Sequence, residues 1–86
     1  MEKYSLIRDI AAAAVNTLAN VLRASGQFGE SERLYRQALD TDERILGPQH
    51  PSTLEVVRTL AGFLQERGRV AEAVVLERRL AVNVAR

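Results

Sequence analysis

An internal repeat with a period of 42 residues is the feature that most limits how this chain can fold. The residues that recur unchanged at that distance include Val15 and Val57, Thr17 and Thr59, Leu18 and Leu60, Ala19 and Ala61, Leu22 and Leu64, Gly26 and Gly68, Glu30 and Glu72, Leu34 and Leu76, and Arg44 and Arg86. A unit that fits the chain about twice predicts a short solenoid, whose units bury their apolar faces mainly against each other. Stacking creates the functional surface of such a fold, so the repeat argues against a catalytic pocket.

The size and charge of the chain restrict its function further. Its 86 residues form one small domain, 1–86, which buries about 60–70% of the surface of the unfolded chain, so a large enclosed active site is not expected. The net charge is only +1, and neither half of the chain is strongly basic or acidic. We therefore expect no binding of nucleic acid.

The chain contains no cysteine. This excludes disulfides, thiolate metal sites and a cysteine nucleophile, and it fits a reducing compartment. The apolar run at 10–15 is too short and too rich in alanine to span a bilayer or to serve as a secretion signal, so no membrane association is expected. We expect a cytoplasmic protein, unless a targeting signal precedes this sequence.

The spacing of the apolar residues predicts four helices and no strand. The expected helices cover Ser5 to about Ala24, Glu30 to Leu46, Ser52 to about Gly68, and about Ala71 to the chain end. Gly26 suits a left-handed helix terminator, and the Gly-Pro-Gln-His-Pro segment at 47–51 interrupts the helical pattern. Two starts are open for the third helix: a capping box of Ser52 and Glu55, or a cap by His50 with Pro51 at the first helical position.

Each predicted helix has one apolar face that should form the core. The inward residues are expected to be Ile7, Ile10, Ala11, Ala14, Val15, Leu18, Ala19 and Leu22 in the first helix, Leu34, Tyr35, Ala38, Leu39, Ile45 and Leu46 in the second, Leu54, Val57, Leu60, Ala61 and Leu64 in the third, and Ala73, Leu76, Leu80 and Val84 in the fourth.

Three segments then carry a family signature. They are Asn16-Thr-Leu-Ala-x-x-Leu22, Gly26-x-Phe28 followed by Glu30-x-x-x-Leu34-Tyr-Arg-x-Ala38-Leu39, and the connector Ile45-Leu-Gly-Pro-x-His-Pro-x-Thr-Leu54. Together they resemble the tetratricopeptide repeat, in the 42-residue form found in kinesin light chains and in many bacterial and fungal multi-repeat proteins. The resemblance covers about residues 10–86, with repeat one at about 10–47 and repeat two at about 52–86. It implies an all-α fold in which two antiparallel helix hairpins stack as a short right-handed α-solenoid.

The resemblance also implies a binding surface. In this family the first helix of each repeat lines a concave groove that holds an extended or helical peptide. The positions that would line the groove here are Asn16, Asn20, Arg23, Arg58 and Gln65. An asparagine at the position of Asn16 often clamps the main chain of a ligand, because its carboxamide both donates and accepts hydrogen bonds. Repeat two has Arg58 and Gly62 at the positions of Asn16 and Asn20, so it does not repeat a clamp of two carboxamides.

Three function classes remain in view. The first is a module that binds a protein or peptide, alone or within a longer repeat array. The second is a self-association unit, because two repeats leave apolar residues without a neighbour, and a symmetric homodimer would extend the stack to four units. The residues expected at that interface are Ile7, Ile10, Val75, Val82 and Val84. The third is a small enzyme, for which the sequence offers no catalytic constellation, no metal ligand set and no cofactor motif.

The remaining polar and charged residues that could form a site are considered next. His50 lies in the connector motif, where a structural role is expected rather than chemistry. The acidic residues Asp40, Asp42 and Glu43 should form a solvated helix face, braced by pairs four residues apart between Glu32 and Arg36, Arg36 and Asp40, and Asp40 and Arg44. A basic patch for an acidic partner, or simply a soluble surface, is predicted from Arg67, Arg69, Arg78 and Arg79.

The last helix departs from the repeat pattern. Leu80 replaces the small Ala38 of repeat one, and Glu77 replaces the aromatic Tyr35. The last helix is therefore predicted either to end the repeat stack or to pack differently from the second helix.

Overall fold

The computed structural model describes residues 14–84, with side chains from 14 to 80. Helix α1 occupies 14–24 of the described chain, and it is followed by α2 (Phe28–Ile45), α3 (Pro51–Glu66) and α4 (Val70–Val84). Residues 14–84 contain no strand. The prediction of an all-α chain built from helical hairpins is confirmed.

The two hairpin corners have the same backbone structure. Gly26 and Gly68 adopt φ angles of 83° and 79°, in the left-handed region that glycine enters without steric penalty. In repeat one the Gln27 N–H donates to the Leu22 carbonyl, in repeat two the Arg69 N–H donates to the Leu64 carbonyl, and both N···O distances are 2.8 Å. The 42-residue period of the sequence is therefore repeated in the hydrogen bonds that close each corner.

The helix starts differ in detail from the sequence expectations. Helix α2 begins at Phe28, two residues before the expected Glu30. At α3, the His50 Nδ1 atom accepts a hydrogen bond from the Ser52 N–H at 3.1 Å, and Pro51 occupies the first helical turn. The cap by His50 is confirmed and the capping box is wrong, because Ser52 already lies inside the helix.

The core lies where α3 packs between α2 and α4. Phe63 is at its centre, with its ring centroid 5.5 Å from that of Tyr35 and 6.4 Å from that of Phe28. The fully or nearly buried apolar residues are Ala19, Leu34, Tyr35, Ala38, Leu39, Val56, Val57, Leu60, Ala61, Phe63, Leu64, Ala73 and Leu76. The sequence expectation missed Val56 and Phe63, which widen the buried face of α3 beyond one stripe.

A buried hydroxyl holds the first hairpin together. Ser31 on α2 is fully buried, and its Oγ donates to the Ala19 carbonyl on α1 at 2.7 Å. The small side chains at both positions let the two helices approach closely enough for this bond. Ala73 and Ala61 occupy the equivalent positions of repeat two and are also buried.

Three residues that were expected in the core are exposed at the surface instead. Ile45 is exposed in the last turn of α2, because Asp42 takes the buried position there, with 2% of its surface exposed. This also corrects the prediction that Asp42 belongs to a solvated face. Ala14 is exposed as well, and Leu18 is half exposed.

The exposure of Leu18 is explained by comparing the two repeats. On α3, Val56, Leu60 and Phe63 form one face that is buried where α2 packs against it. The equivalent residues of α1 are Ala14, Leu18 and Val21, and all three are exposed. The exposed fraction is 50% for Leu18 and 57% for Val21. This face of α1 corresponds to the side of α3 that packs against α2. Within residues 14–84 no helix packs against the α1 face, so the prediction that Leu18 is buried was wrong.

Candidate functional site

Two polar stripes lie on the first helices of the two repeats. On α1 the stripe consists of Asn16, Asn20 and Arg23, and on α3 it consists of Arg58, Gly62, Gln65 and Glu66. Residues three and four positions apart share one side of a helix, so each set forms a continuous row. Arg23 connects the rows: its Nε donates to Glu66 Oε1 at 3.0 Å, and a second guanidinium nitrogen pairs with Glu66 Oε2. We call the surface between them the α1–α3 face.

Asn20 is held by a residue from the core. The Tyr35 hydroxyl, on a side chain that is otherwise fully buried, donates to Asn20 Oδ1. This bond turns the carboxamide oxygen towards α2 and leaves the NH2 group as the end that can donate to a partner. A rigid aromatic side chain therefore orients Asn20.

Asn16 carries a polar atom without an internal partner. The residue is half buried, and its Oδ1 is buried with no hydrogen-bond partner among the described residues. A buried acceptor in that condition is unfavourable by about 1–3 kcal/mol relative to a satisfied one. An atom of this kind requires a hydrogen-bond donor from outside the described residues, such as a water molecule or a ligand.

Arg23 has a structural role as well as a place on the face. Its guanidinium lies 5.8 Å from the centroid of the Phe63 ring, which links α1 to the aromatic core. The hydrogen bond with Glu66 raises the pKa of Arg23 and lowers the pKa of Glu66, so both groups are charged at neutral pH. Because Arg23 is already paired, it is a weaker candidate for a ligand contact than Asn16.

The structure places Arg58 and Gln65 on the exposed surface of α3. Arg58 makes a long ion pair of 3.5 Å with Glu55 in the preceding turn. Gln65 Nε2 donates to Glu77 Oε2 on α4 at 3.0 Å. The replacement of the tyrosine of repeat one by Glu77 thus gives a bond between α3 and α4, which the sequence comparison did not foresee.

Between them lies Gly62, where the α3 stripe has no side chain. A Cβ atom placed on Gly62 would meet no heavy atom of a neighbouring element within 4 Å. Gly62 itself is half buried.

The opposite side of the hairpins carries a closed ring of ion pairs. Glu32 and Arg36 on α2 pair at 2.9 Å, Arg36 reaches Glu72 on α4 at 3.3 Å, Glu72 pairs with Arg69 at 2.6 Å, and Arg69 returns to Glu32. The hydrogen bond from Arg69 lowers the pKa of Glu32, whose side chain is mostly buried. The ring connects the second helices of the two repeats.

The observed ion pairs differ in part from those predicted for the charged clusters. Of the predicted pairs, Glu32–Arg36 and Asp40–Arg44 are present, at 2.9 and 3.2 Å, whereas Arg36 pairs with Glu72 instead of Asp40. In the predicted basic patch, Arg69 and Arg79 are paired with carboxylates, and Arg67 lies 4.0 Å from the centroid of the Phe28 ring. These three arginines stabilise contacts between elements, and Arg78 is exposed.

The residues predicted for self-association are only partly described. Val75 is 60% exposed and lies on the outer side of α4, at the position of the exposed Arg33 in repeat one. Ile7 and Ile10 lie outside the described residues, as do the side chains of Val82 and Val84.

Other kinds of site were also sought within residues 14–84. No group of three or more His, Asp or Glu side chains comes together there in a way that could hold a metal ion. No helix in the same region is both long and apolar enough to cross a bilayer. His50 serves as the helix cap described above.

Comparisons with known proteins give one consistent result. A family model described as tetratricopeptide repeat matches residues 9–80. The chain is also similar to human "Tetratricopeptide repeat protein 19, mitochondrial", with 35% identity over 65 residues. That alignment covers 76% of this chain but 17% of the human protein, so the chain spans about a sixth of the length of this relative.

Proposed function

The chain belongs to the tetratricopeptide repeat family, and we propose that it is a non-catalytic interaction module that binds a protein or peptide on its α1–α3 face. It acts this way alone or within a longer repeat array. Members of this family generally serve as scaffolds for other proteins, which supports the class of function. The site and the kind of ligand are proposed from the described residues.

One observation carries the proposal: Asn16 has a buried carboxamide oxygen that the described chain leaves unsatisfied. It lies one turn from Asn20, whose amide is oriented by Tyr35. Two carboxamides on one helix side can hydrogen-bond the main chain of an extended segment, which always presents donors and acceptors. Arg58, more than half exposed and held only by a 3.5 Å pair, adds a cation to the same face.

We predict that Asn16→Ala combined with Arg58→Ala weakens peptide binding at least tenfold without lowering the melting temperature. The fold should not suffer, because the first change removes an unsatisfied acceptor and the second an exposed, weakly paired charge. The ligands would be peptides selected on the wild-type domain from a displayed random library, with affinity measured by calorimetry and stability by circular dichroism.

A matched control is Arg33→Ala combined with Gln37→Ala, both exposed on α2 away from the α1–α3 face. This control should bind the selected peptides as the wild type does. Equal affinity of the Asn16/Arg58 variant and the wild type would place binding on another surface and contradict the proposal.

A second candidate function is self-association, and the exposed α1 face formed by Ala14, Leu18 and Val21 favours it. In repeat two the equivalent face is buried against a second helix of a repeat, α2. A second copy could cover the α1 face in the same manner, because exposed apolar surface of this kind commonly marks an interface. The outer residue Val75 would contribute if the copies associate through α4.

We predict that the domain sediments as a dimer or larger species at tens of micromolar, and that Leu18→Glu returns it to a monomer. A carboxylate on this face would have to be desolvated in the interface, which is strongly unfavourable. Val75→Glu serves as the comparison that separates the α1 face from the outer side of α4. A well-folded wild-type monomer at that concentration would remove self-association as a function of this domain.

A further inference from the structure

We propose that copies of this domain associate head to tail, with α4 of one copy packed against the α1 face of the next. This inference rests on self-association, the second candidate function, and adds to it the surface of the partner copy and the geometry of the assembly. It is supported by a second open apolar face, by the equivalence of the two faces to an interface inside the chain, and by the charges beside them.

The second open face lies on α4 and consists of Val70 and Val74, which we call the α4 face. These residues are 56% and 39% exposed. Phe28 and Glu32 occupy the same positions on α2, and both contact repeat two: the ring centroids of Phe28 and Phe63 lie 6.4 Å apart, and Glu32 forms an ion pair across the interface. The α4 face is therefore the part of a second helix that contacts a following repeat, and the described chain leaves it exposed.

The α1 face and the α4 face are the two halves of an interface that the chain already contains once. Inside the chain, α2 packs against α3, which joins the second helix of repeat one to the first helix of repeat two. Across two copies, the corresponding helices are α4 and α1. The same packing would place Val70 of one copy against Val21 of the next, as the two phenylalanine rings are placed inside the chain. It would also bury Leu18, whose equivalent Leu60 is fully buried, and removing these apolar side chains from water favours association.

The charges beside the two faces are complementary in the same arrangement. Inside the chain, Arg36 on α2 pairs with Glu72 on α4 at 3.3 Å. The residue of α4 equivalent to Arg36 is Arg78, which is exposed. The residue of α2 equivalent to Glu72 is Glu30, which is also exposed and pairs with Arg33 of its own helix. Head-to-tail packing brings Arg78 beside Glu30 of the next copy, and these opposite charges favour that register.

Two unlike faces predict an assembly that grows instead of closing. A symmetric dimer pairs the same surface of both copies, so contact between two α1 faces would leave Val70 and Val74 exposed. Head-to-tail contact leaves one face of each kind open at the two ends, so further copies can add. The junction is weaker than the internal one, because Glu77, bonded to Gln65, replaces the buried Tyr35. We therefore expect assembly to depend on protein concentration.

The test uses one variant for each face. Leu18→Glu puts a charge on the α1 face and Val70→Glu puts one on the α4 face, where association would have to desolvate it. Both positions are exposed in a single copy, so dilute samples should melt as the wild type does by circular dichroism. In sedimentation velocity, the average mass of the wild type should rise past that of a dimer with concentration, while each variant alone stays monomeric. Val75→Glu is the matched control, because Val75 is 60% exposed on the outer side of α4, and it should assemble as the wild type does.

Mixing the two variants gives the most specific result. An equal mixture contains an intact α4 face on the Leu18→Glu copies and an intact α1 face on the Val70→Glu copies. Head-to-tail packing predicts that the mixture forms dimers and nothing larger, although neither variant associates alone. A mixture that stays monomeric, or a Val70→Glu variant that assembles like the wild type, would overturn the head-to-tail arrangement.

The behaviour of the wild type separates this inference from the function on which it rests. A wild-type domain that stops at a dimer would support self-association and overturn the head-to-tail arrangement. A wild-type domain that remains a folded monomer would overturn both, and the two exposed faces would then belong to an interface with another protein or with a neighbouring repeat of a longer array.

Discussion

Leu60→Ala is expected to destabilise the domain by about 2–5 kcal/mol, a large fraction of its total stability. Leu60 is completely buried on the side of α3 that packs against α2, so truncation leaves a cavity in the contact between the two repeats. A chain of 86 residues has a total stability of only about 4–13 kcal/mol. Urea unfolding followed by circular dichroism measures the change.

The repeat itself supplies the control for this prediction. Leu18 occupies the same position in repeat one but is half exposed, so at concentrations where the domain is monomeric Leu18→Ala should lower the free energy of unfolding by less than about 1 kcal/mol. A loss at Leu18 equal to that at Leu60 would mean that the α1 face is covered in solution. If a second copy covers that face, the loss caused by Leu18→Ala should depend on protein concentration.

Tyr35→Ala is expected to have an effect of similar size, about 3–5 kcal/mol, because the side chain is fully buried and its ring contacts Phe63. Tyr35→Phe keeps the ring and removes only the hydroxyl that donates to Asn20, so it should lose about 0.5–1.5 kcal/mol. Thermal or chemical unfolding of the two variants separates packing from hydrogen bonding.

A double-mutant cycle between Tyr35→Phe and Asn20→Ala tests the link between the core and the α1–α3 face. The bond predicts that the two changes together lose less than the sum of the single changes, because both remove the same interaction. Strictly additive losses would show that the hydroxyl and the carboxamide do not interact, and the orientation argued for Asn20 would then have no support.

The sequence was sufficient for the helices and for much of the core. Apolar spacing located four helices, and the recurrence of Gly26 and Gly68 located both corners, because a left-handed backbone conformation selects glycine with few alternatives. The apolar spacing also identified Leu60 and Leu64 as core residues of α3. These features depend on interactions within one helix or one turn, which a local pattern records.

The errors arose where burial depends on which element lies opposite. Leu18 and Leu60 are identical in sequence and repeat position, yet α2 packs on the side of α3 that carries Leu60 while Leu18 is half exposed. Asp42 was assigned to a solvated face by its charge, but it takes the inward position of the last turn of α2. No single helix pattern contains the information that distinguishes these cases.

The candidate site was located from the sequence only as a set of positions. The structure separates the candidates that already have a partner within the chain from the one that does not. Arg23 pairs with Glu66, Asn20 accepts from Tyr35, and Gln65 donates to Glu77. Asn16 retains an unsatisfied oxygen atom. All three partners are distant in sequence, so spacing could not reveal them.

The most direct test of the central claim is a map of amide chemical-shift changes when a selected peptide is titrated into the isotopically labelled domain. If the α1–α3 face binds the peptide, the largest changes will fall at 16–23 and 58–66. Changes concentrated instead on the outer surface, around Arg36, Glu72 and Val75, would contradict the account.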